Sequence, residues 1–531
     1  MKILSTIPLL LIVIFSCNKP DYSKIKGVKW NPNLAAPLGY SNFDVYDILA
    51  SQDKNDLIII NSLGELALNY KGEVASFSAD QIAQVDDQSI NLTLSPSDQG
   101  INAVTSFSGN IAHTEQKLLN FSLSNGVQLQ QLFLHSGGLN FQISTELQHD
   151  VIFTLNFPDV IKNGAQLTYS IAANYTGMVP HSASASVDLS GAILDLTSGG
   201  GAPNNTLRVN ITTTINGLNN PISGAENSTI NFGFNGMSID KAFGYFGQQS
   251  IIAQSDSLLL KIFNNSTTGT IQLTNPKLRF KVTNSFGIPV QMDISNLKSI
   301  NTNTGVVTPL SSPALSDVSI AAASVLNDSS VTNLPELNQF NTTNMSSIIN
   351  NTPRYLGYTV NAITNPSGFT SNFITRDSKI KVNAELELPL EGYAYDFAIA
   401  DTLPFNFSEN AEQVEYVMFR LFSENGFPIS FQSQLEFIDE TNSALFTLLN
   451  DDPEIVEAAP VNGDGKVISK AMKIKDIVIP KNYITLLSSV KNVVIRGTAA
   501  TTQPQSTIVK IYDDYNLKLK LSMQVQLKLG L

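Results

Sequence analysis

The stretch "NLKLKLSMQVQLKLG", residues 516–530, decides the fold class. Leu517, Leu519, Leu521, Met523, Val525, Leu527 and Leu529 fall on one side of it. Asn516, Lys518, Lys520, Ser522, Gln524, Gln526 and Lys528 fall on the other. Side chains of a strand alternate between faces with a period of two, whereas a helix repeats its apolar face every 3.6 residues. The run therefore predicts a strand with one face on a core and one toward water, as in antiparallel sheets. Ile380 to Leu390 and Leu207 to Ile215 alternate in the same way. Asn-Gly pairs at 163–164, 216–217, 235–236, 425–426 and 462–463 read as turns, because both residues tolerate positive φ. Helical signals are few. Ser41 to Asp44 resembles a capping box opening a helix near Phe43 to Ala50, and Ser443–Asn450 and Pro480–Val490 could each hold about two turns. The fold class predicted is mainly β: tandem antiparallel β-sandwich-like domains with few short helices.

Composition narrows the function. There is one cysteine, Cys17, in 531 residues, so no disulfide staples the fold and packing must hold it. Residues 1–30 carry five lysines against one aspartate, +4 of a net −13, which leaves −17 for the rest. Such an acidic body argues against a nucleic-acid partner, since phosphate binding needs clustered Lys and Arg. Beyond the N-terminus no apolar stretch reaches the roughly 20 residues that a transmembrane helix needs.

The N-terminus has the layout of a secretory signal: a basic start at Lys2, an apolar run from Leu9 to Phe15, then the small residue Ser16. Ile14-Phe15-Ser16-Cys17 resembles a bacterial lipobox, although an ordinary signal with a chance cysteine would contain the same residues. The resemblance implies cleavage after Ser16, with Cys17 as the lipid-carrying first mature residue. It thus implies a lipoprotein anchored in the outer membrane. Stable anchoring takes more than one acyl chain, because each buried CH₂ contributes only about 0.8 kcal/mol. Residues 17–30 hold Lys19, Lys24, Lys26 and Lys29 against Asp21, which suits anionic headgroups or a solvated tether equally well.

The expected domains are a signal peptide (1–16), a lipidated tether and short helix (17–54), a β-rich region of one or two sandwich-like domains (55–300), a Ser/Asn-rich linker or crossover (301–355) and a C-terminal β-rich domain (356–531). "LRFKVTNSFGIPVQMDI" (278–294) echoes "VMFRLFSENGFPISFQS" (417–433), and Gly287-Ile288-Pro289 matches Gly426-Phe427-Pro428. Each reads as a hairpin in which Pro stops ladder pairing before the return strand. The pair suggests two similar β modules, one on each side of the linker. The strand pair resembles the hairpin of LEA-2/WHy-type β-sandwiches over fewer than about twenty residues, too short a span for a repeat-level argument. The lipobox, Trp30 to Leu38, "NSFGIPV" and "NGFPISFQSQLEFID" are together similar to large Bacteroidota-type lipoproteins, a resemblance that brings no known activity. Asp256-Ser257-Leu258 and Asp401-Thr402-Leu403 match the triplet that this lineage O-glycosylates, at Ser257 and Thr402. "NKPD" after Cys17 lacks the acidic run of the lineage's surface-export signal, so a periplasmic or a surface position is open.

Chemistry is sparse. His113, His135, His149 and His181 stand at no metal-ligand spacing and read as surface or turn residues. Nucleophile-elbow and zincin motifs are absent. Glu385 and Glu387 could pair as acid and base but read more simply as a solvated strand face. Asp451, Asp452 and Asp464 form a weak calcium candidate without calcium-loop spacing. No catalytic residue, cofactor or metal is expected. The expectation is a lipid-anchored envelope scaffold or binding protein, not an enzyme, whose loops face a protein, glycan or lipid partner. The alternatives are a periplasmic carrier of a hydrophobic ligand, built as a lipid-binding β tube, and an adhesin or pilus-type subunit.

Overall fold

The computed structural model describes residues 29–49, 58–82, 85–198, 204–252, 256–260, 269–405 and 413–530. Antiparallel ladders dominate them, as the period-two runs require. Leu207, Val209, Ile211 and Ile215 are fully buried while Arg208, Asn210, Thr212 and Thr214 are half-buried. Each such apolar burial contributes about 1.5–3 kcal/mol. Asn163 and Gly164, at φ 53° and 80°, close the two-residue hairpin between Asp150–Lys162 and Ala165–Ala173. Asn235-Gly236 instead lies inside the strand Ser228–Tyr245, where its register against Gln128–Thr145 shifts as a bulge.

The chain forms two units, one of residues 1–50 with 394–531 and one of residues 51–393. The second unit holds a ten-stranded sheet built around the two 18-residue strands Gln128–Thr145 and Ser228–Tyr245. Its interior is filled by rings. Phe141 and Phe157 each meet Phe232 edge-on, at 6.1 and 6.0 Å between centroids, and Tyr169 stacks on Phe141 at 5.4 Å.

The second unit also contains a two-sheet sandwich. One sheet runs, in spatial order, Ser330–Asn333, Lys277–Asn284, Lys379–Pro389, Leu66–Ser78 and Ile58–Ile60. The other runs Ser250–Ile252, Tyr355–Thr364, Val290–Ile300 and Val307–Pro309, with Val318–Ile320 also on Val290–Ile300. The first unit repeats this plan. Its sheets run Ala471–Ile479, Val414–Asn425, Asn516–Leu527 and Asn33–Asp44, and Phe397–Pro404, Asn492–Thr501, Ile429–Ile438 and Ala444–Leu448. The strands of the first unit's two sheets each have a counterpart in the second with the same pairing and chain order, and Ile58–Ile60 is an additional edge strand there. In the second unit nine strands of the ten-stranded sheet (88–245) are inserted after the sandwich's strand Leu66–Ser78, and the tenth, Asn372–Thr375, lies between Tyr355–Thr364 and Lys379–Pro389. In the first, all of the second unit is inserted after Asn33–Asp44. The chain is therefore a sandwich whose first connection holds a second sandwich, whose own first connection holds nine strands of the ten-stranded sheet.

Four expectations change. The echo segments are corners rather than hairpins: Lys277–Asn284 and Val290–Ile300 lie in different sheets, as do Val414–Asn425 and Ile429–Ile438. A buried Asn bonds the corner's carbonyls in place of a ladder. Residues 301–355 are a crossover between the two sheets of the sandwich and not a linker between domains, and the units divide at Ala394 instead. Leu315, Leu337, Ile348 and Ile349 from that segment are fully buried and join the core, while Val306, Val307, Val325, Val331 and Phe340 stay exposed. Within Ser443–Asn450 the chain forms the strand Ala444–Leu448, whose pairing with Ile429–Ile438 overrides its weak helical propensity. Along the opening stretch only Leu517 is buried, Lys520 is exposed, and Leu519 and Leu521 to Leu527 are half-buried on both faces, because the neighbouring edge strand Asn33–Asp44 is exposed throughout. The helix Val45–Leu49 forms where expected, with its reciprocal cap at Asp44 and Asp47 rather than at Ser41. Pro480–Val490 holds a helical turn, Lys481–Ile484, and the 3₁₀ turn Thr485–Ser489.

Candidate functional site

In the second unit, the outward face of the five-stranded sheet carries a lattice of charges set by strand register. Lys277 stands opposite Glu387, Arg279 opposite Glu385, and Glu385 opposite Lys71. Arg279 bonds Glu387 at 2.6 Å and Glu336 at 2.7 Å, and Lys277 bonds Glu387 at 2.9 Å. Burial alone would push the Glu387 carboxyl up; the bonds from Arg279 and Lys277 outweigh it and hold the group below the usual carboxylate range. Burial likewise disfavours the charge on Arg279, but its bonds to Glu387 and Glu336 raise its pKa. Glu385 and Glu387, weighed above as acid and base, are thus two members of an ion-pair lattice, with Glu387 held ionised.

Beside this face the loop 336–342 is braced by its own amides. Leu337 exchanges backbone bonds with Leu278 at 2.8 and 2.9 Å. Asn338 Oδ1 accepts the Phe340 N–H at 2.9 Å, Asn341 Nδ2 donates to the Glu336 carbonyl at 2.7 Å, and Thr342 Oγ1 donates to the Asn338 carbonyl at 2.7 Å. Gln339 Nε2 donates to Asn275 Oδ1 at 2.7 Å, and Asn275 Nδ2 donates to Glu391 at 2.8 Å. The brace holds Phe340 with its ring 87% exposed. Loop, sheet face and Ile59–Asn61 enclose a groove of ≈ 440 Å³, lined by Phe340, by aliphatic side chains such as Ile60 and Leu66, and by amides, carboxylates and Lys277. An exposed ring offers an apolar face, and the fixed amides and carboxylates beside it offer directed donors and acceptors. Phe340 lies in the segment that the sequence presents as a linker; its one signal there is a lone aromatic in an Asn/Ser/Thr-rich run.

The other predicted residues lie apart from this groove. His149 and His181 are buried, not at the surface, because the ten-stranded region folds over them. His149 Nδ1 accepts the Leu218 N–H at 3.1 Å, and the ring meets Phe107 edge-on. Burial lowers the His149 pKa against the pull of Glu226 and Asp150. His181 Nε2 bonds the Leu147 carbonyl at 2.8 Å. His113 is half-buried and His135 exposed. Asp451, Asp452 and Asp464 are exposed. The Asp452 carboxylate is taken by Lys475, and no group of three metal-ligating side chains occurs among the described residues. Ser257 and Thr402 are exposed on strands. Cys17 and Ser16 lie outside the described residues. Among the described residues no helix is long and apolar enough to cross a membrane.

No family model matches the chain, and no curated protein matches it. Among solved structures, it is similar to a protein described as secreted, from Parabacteroides distasonis, at 12% identity and TM-score 0.29 over 54% of this chain and 88% of that one. It is also similar to the VP2 subviral particle of infectious bursal disease virus, at 10% identity and TM-score 0.15 over 77% and 74%. A third is Sulfolobus turreted icosahedral virus, at 11% identity and TM-score 0.10 over 79% and 92%. At TM-scores this low none of them bears on fold or function.

Proposed function

We propose that the protein is a lipid-anchored, non-catalytic binding protein of the bacterial outer membrane, and that the groove beside Phe340 takes a saccharide. The observation that carries this reading is the exposed Phe340 ring on a loop braced by hydrogen bonds, next to fixed amides and carboxylates. A sugar ring presents apolar C–H faces and a rim of hydroxyls, which complements a ring beside directed polar groups. Function on loops held by a rigid sheet is the usual arrangement for binding. The ring-filled interior of the second unit favours this reading over a β tube around a hydrophobic ligand.

The test is a glycan array probed with the mature chain, residues 17–531, and with its Phe340→Ala variant. Binding to a defined saccharide class that drops at least about tenfold in the variant, a loss of about 1.4 kcal/mol, supports the reading. Failure to bind any saccharide, or equal binding by the variant, rejects it.

A further inference from the structure

In the first unit, the strand Ala471–Ile479 has inverted polarity. Ile477 and Ile479 join the sandwich core, but on that same inner side stand Lys473 and Lys475. Lys475 is 6% exposed and gives its ammonium to the carbonyl and carboxylate of Asp452; Lys473 bonds Glu454 at 2.9 Å. The outward side carries Met472, Ile474 and Val478, at 65, 62 and 45% exposure. A sheet face meant for water places these types the other way round.

The inversion continues across the sheet. Register aligns Tyr40, Lys520, Phe422 and Ile474 in one row over all four strands. Tyr40 is 62% exposed, and Leu38 beside it 48%. The six apolar side chains are interleaved with cations. Arg420, Lys470, Lys518 and Lys520 stand against Glu424, Asp476 and, at the end of the edge strand, Asp44, an excess of one positive charge on a chain of net −13. Between Leu38 and Tyr40 on one side and Arg420 and Phe422 on the other runs an open groove of ≈ 770 Å³ over Lys520.

Aromatic and aliphatic side chains mixed with Lys and Arg suit the headgroup layer of an anionic bilayer. The edge strand of this face, Asn33–Asp44, begins 16 residues after Cys17. Sixteen residues reach at most about 55 Å when fully extended, and four of those before the strand are lysines. We infer that the outer face of this four-stranded sheet rests on an anionic lipid surface, the membrane to which Cys17 ties the chain. The choice of a lipid surface over a protein rests partly on the anchor proposed above; the inverted face does not.

The test therefore removes the anchor. The mature chain with Cys17→Ser, made without the signal segment, is floated with vesicles of phosphatidylethanolamine and phosphatidylglycerol, and with phosphatidylcholine alone. Expected is co-flotation with the anionic vesicles at low salt, weakened by salt and reduced at least about tenfold by the triple variant Tyr40→Ser, Ile474→Ser, Lys520→Glu. All three residues are exposed or half-buried, and circular dichroism checks that the variant stays folded. No flotation, or flotation unchanged in the triple variant, overturns the inference. So does concentration-dependent dimerisation in light scattering that the triple variant abolishes, because a second copy then covers the face. Mass spectrometry of the wild-type N-terminal peptide reports lipidation separately, so failure of the anchor and failure of the face are distinguishable.

Discussion

Asn284 and Asn425 occupy one structural position in two copies of the same sandwich. Each Nδ2 donates to the carbonyl four residues on, Ile288 at 3.0 Å and Ile429 at 2.8 Å. Each donates again to a neighbouring segment, Ala321 at 3.0 Å and Glu457 at 2.8 Å. Each Oδ1 accepts the N–H two residues on, from Phe286 at 3.0 Å and Phe427 at 2.9 Å. The carbonyls of those two phenylalanines accept in turn from Ala323 and Ala459. The anchor of the repeat is thus the Asn-x-Phe step, and the matching Gly-x-Pro triplets are secondary to it. From Asn to the first ladder residue is six positions in one copy (Val290) and four in the other (Ile429).

Replacing either Asn by Ala removes two bonds to backbone carbonyls and leaves the buried Phe286 or Phe427 N–H without its acceptor, while the Ala321 carbonyl keeps the Ser330 hydroxyl. The expected cost is about 2–4 kcal/mol, given about 1–3 kcal/mol for each unsatisfied buried group and partial relaxation. Because the two residues sit in different units, Asn284→Ala lowers the urea midpoint of the second unit's transition and Asn425→Ala that of the first. Unfolding followed by fluorescence and by pulsed hydrogen exchange checks the assignment, and a shift of both midpoints in either variant contradicts independent units.

Phe141 is fixed by three ring neighbours. Phe141→Ala opens a cavity in the ten-stranded sheet and is expected to cost about 3–5 kcal/mol. Phe141→Leu, which refills much of the volume, is expected to cost less than half of that. Chemical denaturation of the two variants decides the point; equal losses would mean that the site collapses around either side chain.

The buried His149 ties stability to pH. Its folded pKa is depressed, so the unfolded chain binds a proton that the folded chain refuses. Stability is then fully present above the unfolded value near 6.5 and declines as pH falls toward the folded one, with a slope of at most about 1.4 kcal/mol per pH unit. His149→Asn keeps an acceptor near the Leu218 N–H and removes the titration. Urea midpoints of the second unit at pH 7 and pH 5 are expected to differ more in the wild type than in this variant.

Cys17→Ser in the full precursor is expected to abolish processing and acylation. Metabolic labelling with a palmitate analogue and the mass of the N-terminal peptide check this. Labelling that persists in the variant removes the lipobox reading.

Much of this molecule is legible in one dimension. The alternation at 380–390 and 207–215 places Ile380, Val382, Leu386 and Leu388 in a core, and all four are fully buried. A strand's period depends only on local backbone geometry, so it survives in the sequence. The echo around Asn284 and Asn425 is legible too, because a buried amide that bonds three backbone groups tolerates few substitutes. The candidate groove is not legible. Phe340 meets Asn275, Glu387 and Glu391 only through pairing across sequence separations of about 50 to 115 residues, which no local pattern encodes.

The sequence alone determined that the chain is built of strands with one apolar face, that no disulfide holds it, and that its solitary cysteine follows an apolar run near the N-terminus. Tertiary structure alone decided which strands share a sheet, that one sandwich is threaded into the first connection of another, and which faces are left uncovered. The two Leu- and Ile-rich alternations show the division. Leu386 and Leu388 vanish into a closed core, whereas Leu519 and Leu521, patterned identically, are only half-buried. Alternation states that a face is apolar; only the packing of the opposite sheet and the neighbouring strand states whether anything covers it.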